Sequence, residues 1–477
     1  MFESARLFAL DQFKVLLEAD HEGLCVPDLL SAETEIMAFT QEVGRALLEQ
    51  FVATRLAQVQ RHPPSCECDR AMTTHRMTAW THKSLAGDVR VYDPYCYCRD
   101  CRASARPLHR YLGSDREAYS MGLQEATVDL ATDEPCASAV KKLERHHPGV
   151  QLDRTAALRL LHSHGQTARE FLDEHLALAR EQALRPVIEQ PNGVAELEVE
   201  FDGGMIPVAT FEAKAGVAGQ APELSPVRKL RKKTRKMYWE EAKLGLVQVP
   251  GKVERLYSVR PTAGLDESFE DLFSLACLAG WTSQTKVRGI ADGARHIRPR
   301  MQEAFNDCDF MFILDRPHAR EHLSKSGEAL QSLTEQPAQQ WADAALAKLE
   351  QGHADAVVKE LHDAWMSSGA DEASRNDVLR LEANYFDRNS DAVAYATYRA
   401  NGWSTASSEV ESGHRHVVQQ RVKIPGAWWR PDQVDHILAL RMLKANGLWE
   451  DYWNTCRTRW RQDAALLAPQ PVVRKAN

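Results

Sequence analysis

Three acidic residues recur in a set order along the 477-residue chain: Asp202 in ELEVEFDGGMIPV, Asp292 in TKVRGIADGARHI and Glu411 in SSEVESGHRHVVQQRVK. Carboxylates brought from three separate elements can hold two divalent ions roughly 3.5–4 Å apart, the arrangement used for in-line displacement at phosphorus. Singly, each acid has a plainer explanation, since Asp-Gly is a common hairpin signal and acids favour helix starts. The conjunction is more informative. Asp202 and Asp292 stand 90 residues apart, each closing an apolar, strand-like run, and Glu411 follows 119 residues later beyond a helical block. Adjacent strands of one sheet would set the two aspartates side by side, and a later helix would add the glutamate.

Each position has competing or supporting neighbours. The glycines after Asp202 predict a sharp turn and let a phosphate approach the backbone. Asp315, at the end of FMFILDRPH, rivals Asp292; its plainer role is the N-cap of a helix opening on Arg316-Pro317. His318, three residues on, is a candidate partner for a carboxylate or a phosphate. Glu409 rivals Glu411, but residues two apart on a helix do not share a face, so at most one turns toward the site.

Five of the ten cysteines fall between Cys66 and Cys101. The spacing is Cys66-x-Cys68, then Cys96-x-Cys98-x-x-Cys101. Four thiolates at tetrahedral reach make a structural zinc site. Cys66, Cys68, Cys98 and Cys101 are the expected ligands, with Cys96 as the spare or a substitute. No export signal opens the chain, which favours metal over disulfides for this cluster.

Cations cluster near the acids. The run Arg228, Lys229, Arg231, Lys232, Lys233, Arg235 and Lys236 puts seven charges into nine residues. It reads as a solvated loop or, beside a carboxylate metal site, as a phosphate-contact surface with strong salt dependence. Arg415, Arg421 and Lys423, with His414 and His416, follow Glu411. Trp428 and Trp429 are candidates for packing or for stacking on an exposed base.

The elements that would position these residues follow from periodicity. Residues 1–60 read as helical, with Ser31 capping a helix whose stripe is Ile36, Phe39, Val43, Leu47 and Phe51. Residues 61–115 form a small, loop-rich cysteine module with one short strand at VRVYDPYCYC. Residues 116–190 give three short helices, compatible with a helix-turn-helix DNA reader. Residues 191–325 alternate strands (AELEVEF, IPVATFEA, KLGLVQV, VERLYSV) with helices, and KVRGIA and DFMFIL read as buried central strands. Residues 326–403 are an all-α insertion, and 404–477 return helices to the core before a frayed end. The fold class expected is multi-domain α/β.

The totals are ordinary for a soluble globular protein. The chain is 44% hydrophobic and 26% charged, with a net charge of −8. That balance disfavours a protein that simply coats nucleic acid and leaves room for a local basic patch. No apolar run reaches the length of a membrane span, and a cytoplasmic location is the default expectation.

From about Cys66 to Trp453 the order of motifs resembles bacterial insertion-sequence transposases of the ISKra group, distant relatives of the Mutator-like DDE enzymes. The resemblance rests on the paired cysteine module, the Asp-Gly strand, Trp239-Glu240-Glu241 leading into KLGLVQV, the ADGA turn and LDRPHAREHL. It continues through YFDRN, AYATYRANGW and VESGHRHVVQQRVK. It implies an RNase H-like catalytic core interrupted by the helical insertion. By the same resemblance Asp202, Asp292 and Glu411 are a DDE triad binding two Mg²⁺ or Mn²⁺ ions. Asp315 and His318 are the accessory D-x-x-H element. The implied activity is cleavage and joining of double-stranded transposon ends by a dimer or higher assembly. The stretch Ala406–Glu409 lacks the glycines usual before the family's V-E-S. A catalytically silent DNA-binding descendant is the alternative expectation.

Overall fold

The computed structural model describes residues 29–61, 64–108, 118–185, 193–213, 233–261, 263–334, 336–368 and 373–466, together with Leu7 and Asp11. The chain divides into two compact units, Met1–His164 with Glu450–Asn477, and Gly165–Trp449. The expected frayed end lies outside the described residues.

In the first unit, the helix Leu29–Arg61 already contains Ser31, so Ser31 is not its cap. Of the expected stripe only Phe51 joins the packed cluster, where it lies with Val52, Leu56 and Val59 against Trp80, Val89 and Val91, whereas Ile36 and Leu47 are exposed. The cysteine module carries more sheet than its composition suggests. Strands β1 (Thr73–Ser84) and β2 (Gly87–Tyr97) make a long antiparallel hairpin, with β3 (Ser104–Ala105) added to β2. Three helices follow: Met121–Asp133, Cys136–His146 and Arg154–Ala183, the last running on past His164 as part of the second unit. The third is long instead of short. A Cβ on its Gly165 would lie 2.5 Å from His436 Cβ.

The second unit is built on a mixed five-stranded sheet in the order β6-β5-β4-β7-β8. Its strands are β4 (Glu196–Ala213), β5 (Lys233–Gln248), β6 (Arg255–Arg260), β7 (Lys286–Ala291) and β8 (Asp309–Leu314). β4, β5 and β6 form an antiparallel meander, while β7 pairs parallel with both β4 and β8. β8 is therefore an edge strand, not a central one. The alternation of ELEVEFD sends Leu197, Val199 and Phe201 into the core. There Phe201 stacks on Phe269 of the helix Leu265–Leu278 at 4.4 Å.

The Asp202-Gly203-Gly204 segment is not a turn. It lies inside one unbroken strand paired with β5 from Glu198 to Ala213. Its glycines serve close packing instead. A Cβ on Gly203 would lie 2.3 Å from Glu241 Oε1, and one on Gly204 would lie 2.6 Å from His414 Nδ1. After β8 the helix Arg316–Thr334 begins, and the expected helical insertion appears as Ala338–Glu350, Ala354–Ser367, Ala373–Arg388 and Tyr395–Ala400. The chain returns through Ser408–Gly413, a π-helical turn His414–Gln419, and Pro431–Ala445. No helix among the described residues is long and apolar enough to cross a membrane.

Candidate active site and candidate metal centre

Sheet register aligns the acids. β4 and β7 pair at a constant offset of 90, from Glu196 with Lys286 to Glu200 with Ile290. Continued by two residues, that offset sets Asp292 opposite Asp202 on the neighbouring strand. β7 and β8 pair at an offset of 23, from Lys286 with Asp309 to Ala291 with Leu314, which sets Asp315 opposite Asp292. Three aspartates thus stand in one row where β7 and β8 end and β4 continues. Neighbouring strands are about 4.8 Å apart.

The row also separates the rivals. Asp315 is fully buried. Its Oδ1 accepts from the Ser407 amide at 2.6 Å, and its Oδ2 accepts from the amide and Nδ1 of His318 at 2.8 and 2.6 Å. Burial alone would raise this carboxyl, but the bonds from His318 and Ser407 outweigh it and hold it below the usual carboxylate range. Both oxygens are occupied in holding the fold. Asp292 is more open: Oδ1 accepts from Ala294 N at 2.8 Å, and its main-chain oxygen accepts from Tyr385 Oη at 2.6 Å. Gly293, at φ +73°, makes the turn after it.

His318 is pushed up to about 9, first by its bond to Asp315 and further by Asp292 and Asp202. It is therefore an imidazolium at neutral pH, facing the aspartate row. Asp202 is raised by burial and by the Asp292 charge, with His414 opposing. A carboxylate raised in this way is one whose charge the protein leaves partly unmet.

Glu411 lies on the helix Ser408–Gly413. Its amide bonds to Ser407 O at 3.3 Å. His414, three residues on and so on the same face, sits with Nε2 3.6 Å from Asp202 Oδ2 and 3.2 Å from the Asp202 main-chain oxygen. Glu409 turns elsewhere and pairs with Arg255 at 2.8 Å. No hydrogen bond or ion pair of the Glu411 carboxylate is found among the described residues. Arg441, buried, donates to the main-chain oxygens of Val417, at 2.6 Å, and His416, bracing the π-helical turn. Such turns inside helices are frequent at functional sites.

Two acids escaped the reading of motifs. Glu198 and Glu200 share the Asp202 face of β4, and both are buried. Glu200 Oε2 accepts from the Val410 amide at 2.7 Å, and Gln248 Nε2 donates to Glu198 Oε1 at 2.7 Å. The other Glu200 oxygen, Oε1, is buried with no hydrogen-bond partner among the described residues. Burial, reinforced by Glu198 and Glu409 and opposed by the Val410 amide, pushes Glu200 up to about 9. The visible signal was the alternation itself, with acids at 196, 198, 200 and 202 on one face and apolar residues on the other.

The cysteine cluster closes as expected. The ligand atoms of Cys66, Cys68, Cys98 and Cys101 lie within 4.8 Å of one another, and this group can hold a metal such as zinc. The Cys68–Cys98 and Cys68–Cys101 sulfurs are 3.6 and 3.9 Å apart. Sulfurs arranged tetrahedrally at about 2.3 Å from zinc would be roughly 3.8 Å apart. Amides of Cys101 and Asp100 donate to Cys98 and lower its thiol to about 7. Cys96 is buried outside this group, beside Thr74 Oγ1. The compressed Cys66-x-Cys68 half is achieved by Asp69 at φ 62°, and Arg102 at φ 59° repeats that conformation after Cys101. Elsewhere among the described residues no three or more potential ligand atoms come so close, so Asp202, Asp292 and Glu411 stand wider apart than 4.8 Å.

The basic residues divide. Arg228, Lys229, Arg231 and Lys232 lie outside the described residues. Lys233 opens β5, so the run is partly strand instead of loop, and Arg235 and Lys236 are exposed. Arg415 and Lys423 are exposed. Arg421 departs from the expectation of a phosphate contact: it is buried, with its guanidinium 4.9 Å from the centre of the Trp429 ring. Trp429 bridges to β4 through its backbone, and Trp428 packs edge-on to Trp239 at 5.9 Å. Both tryptophans therefore have packing roles. No family model matches the chain, and no curated protein matches it.

Proposed function

We propose that the second unit is an RNase H-like nucleotidyl-transfer core and that the protein is a DDE-type DNA transposase. The observation that carries the chemical part is the register that sets Asp292 beside Asp202, with the Glu411 helix seated on Asp202 through His414. The strand order, with only β5 antiparallel to the other four strands, supports the fold assignment. The transposase part rests on the resemblance in motif order.

Asp202, Asp292 and Glu411 would hold Mg²⁺ or Mn²⁺. An all-oxygen donor set suits these ions, and the raised Asp202 carboxyl fits a cation site. Bound there, two such ions would activate the attacking hydroxyl and stabilise the leaving oxygen. The protein's own contribution is placement. The sheet fixes the two aspartates, Asp315 and the Ser407 turn fix the third acid, and the His318 cation faces the row where phosphate charge would gather. Exposed Arg235, Lys236, Arg415 and Lys423 are the described candidates for the DNA backbone, and a dimer on paired DNA ends is the expected assembly. The four-cysteine module would carry Zn²⁺ and help hold the DNA end.

The test is Mg²⁺- or Mn²⁺-dependent cleavage of duplexes covering the DNA that flanks the gene on both sides. The reading expects cleavage by the parent protein, loss of at least about 1000-fold in Asp202→Ala, Asp292→Ala and Glu411→Ala, and retained DNA binding. Binding with no cleavage by the parent would instead mark a catalytically silent descendant.

A further inference from the structure

Two buried carboxylates, one from β4 and one following β8, grip the start of the Glu411 helix. Asp315, after β8, holds the Ser407 amide at 2.6 Å, and Glu200, on β4, holds the Val410 amide at 2.7 Å. Between them they hold two of the free amides of the helix's first turn. Neither side chain reaches solvent, both residues being 0% exposed. The Glu200 anchor is the more demanding, because a buried acid is retained two residues from Asp202, where an apolar side chain would pack at lower cost.

The surroundings are arranged around that anchor. Glu198, two residues back along β4, is held by Gln248 of β5. Glu409 is drawn aside by Arg255 of β6, which leaves the Val410 amide to Glu200. Glycines clear the approach. A Cβ on Gly413 would lie 2.7 Å from Tyr257 Cε1 and 3.0 Å from Leu244 Cδ2, so the helix sits against β5 and β6 with no room for a side chain. Val410 immediately precedes Glu411, so any movement of its amide moves the third acid of the site.

We propose that Glu200 is a positioning residue, which sets the depth of Glu411 over Asp202 and Asp292 by holding the Val410 amide. The proposal rests on the two-metal reading of the three acids. Glutamine at position 200 would keep an acceptor for the Val410 amide. Leucine would keep the volume and remove the acceptor. Aspartate would keep the acceptor but withdraw it by one methylene.

The test uses the full-length protein with Fe²⁺, ascorbate and peroxide, which cut a polypeptide beside a bound metal. It is paired with kcat and KM for DNA-end cleavage. The parent should be cut near Asp202, Asp292 and Glu411. Glu200→Leu should keep the first two cuts and lose the third, with kcat down about 100-fold, the cost of a displacement near 1 Å, and KM within twofold. Glu200→Gln should keep all three cuts and a kcat within about threefold. If the leucine protein does not fold, Glu200→Asp should show the same selective loss. An unchanged cut near Glu411 in the leucine or aspartate protein would overturn the proposal, as would its loss in a folded glutamine protein. A parent protein cut at none of the three sites would sink the metal-site reading itself, and this inference with it.

Discussion

His414 and Asp202 are in contact twice: Nε2 of the histidine is 3.6 Å from the carboxylate and 3.2 Å from the main-chain oxygen of the same aspartate. This contact ties the Glu411 helix to the strand that carries Asp202, and it exists because residue 204 has no side chain. Gly204→Ala would place a methyl 2.6 Å from His414 Nδ1. The ring must move, and overpacking of this kind typically costs about 1–3 kcal/mol. We expect DNA-end cleavage to fall at least about tenfold while DNA binding is kept, as read by steady-state cleavage and a filter-binding titration.

Asp292 and Asp315 should separate in a paired measurement. Asp292→Asn should abolish cleavage and leave the melting temperature nearly unchanged, because Asp292 is only partly buried whereas Asp315 is fully so. Asp315→Ala removes the acceptor for Ser407 and for His318, and should destabilise the second unit by about 2–4 kcal/mol. Thermal melts beside activity assays decide the matter. Equal destabilisation by both substitutions would contradict the division of roles.

The cysteine module should carry one zinc per chain. Elemental analysis of Cys68→Ser or Cys98→Ser should show its loss. Cys96→Ser should keep the metal, since Cys96 lies outside the group of four.

The left-handed residues of the two knuckles offer a test by stabilisation. Asp69 and Arg102 hold φ of 62° and 59° without being glycine, a conformation costing roughly 1 kcal/mol. Arg102→Gly should relieve part of that cost and raise the stability of the zinc-loaded protein by up to about 1 kcal/mol, read by chelator-challenge kinetics or melting temperature.

A pH dependence follows from His164. Its ring lies between Gln124 and Tyr452, 2.9 Å from each, and burial pushes it down to about 4 from an ordinary 6.5. The unfolded chain therefore binds a proton that the folded one refuses. Stability is complete above about 6.5 and declines as pH falls toward about 4, by at most roughly 3 kcal/mol. Unfolding in urea across that window should flatten in His164→Gln, with Trp453 fluorescence as a local probe, since its ring lies 4.6 Å from His164.

Much of this was readable in the residues. The alternation of ELEVEFD, the strands KVRGIA and DFMFIL and most helices of the insertion appear where periodicity places them, although DFMFIL takes the sheet edge. The four clustered cysteines, which could hold a metal, were legible from spacing. What escaped was set by contacts between distant segments. Asp-Gly-Gly looks like a turn locally, yet it stays in β4 because β5 pairs along its whole length and Glu241 and His414 fill the space its missing side chains leave. Arg421 reads as a surface cation, but Trp429 covers it. Glu200 belonged to no motif, and only the Val410 amide of a helix 210 residues later reveals why it is buried.

The most direct test of the account is the anomalous scattering of Mn²⁺ in crystals of the full-length protein. The account predicts two peaks roughly 3.5–4 Å apart, held by Asp202, Asp292 and Glu411, with Asp315 outside the coordination sphere. No peak among these three acids at millimolar Mn²⁺, or a peak held by Asp315 without Asp292, would contradict it.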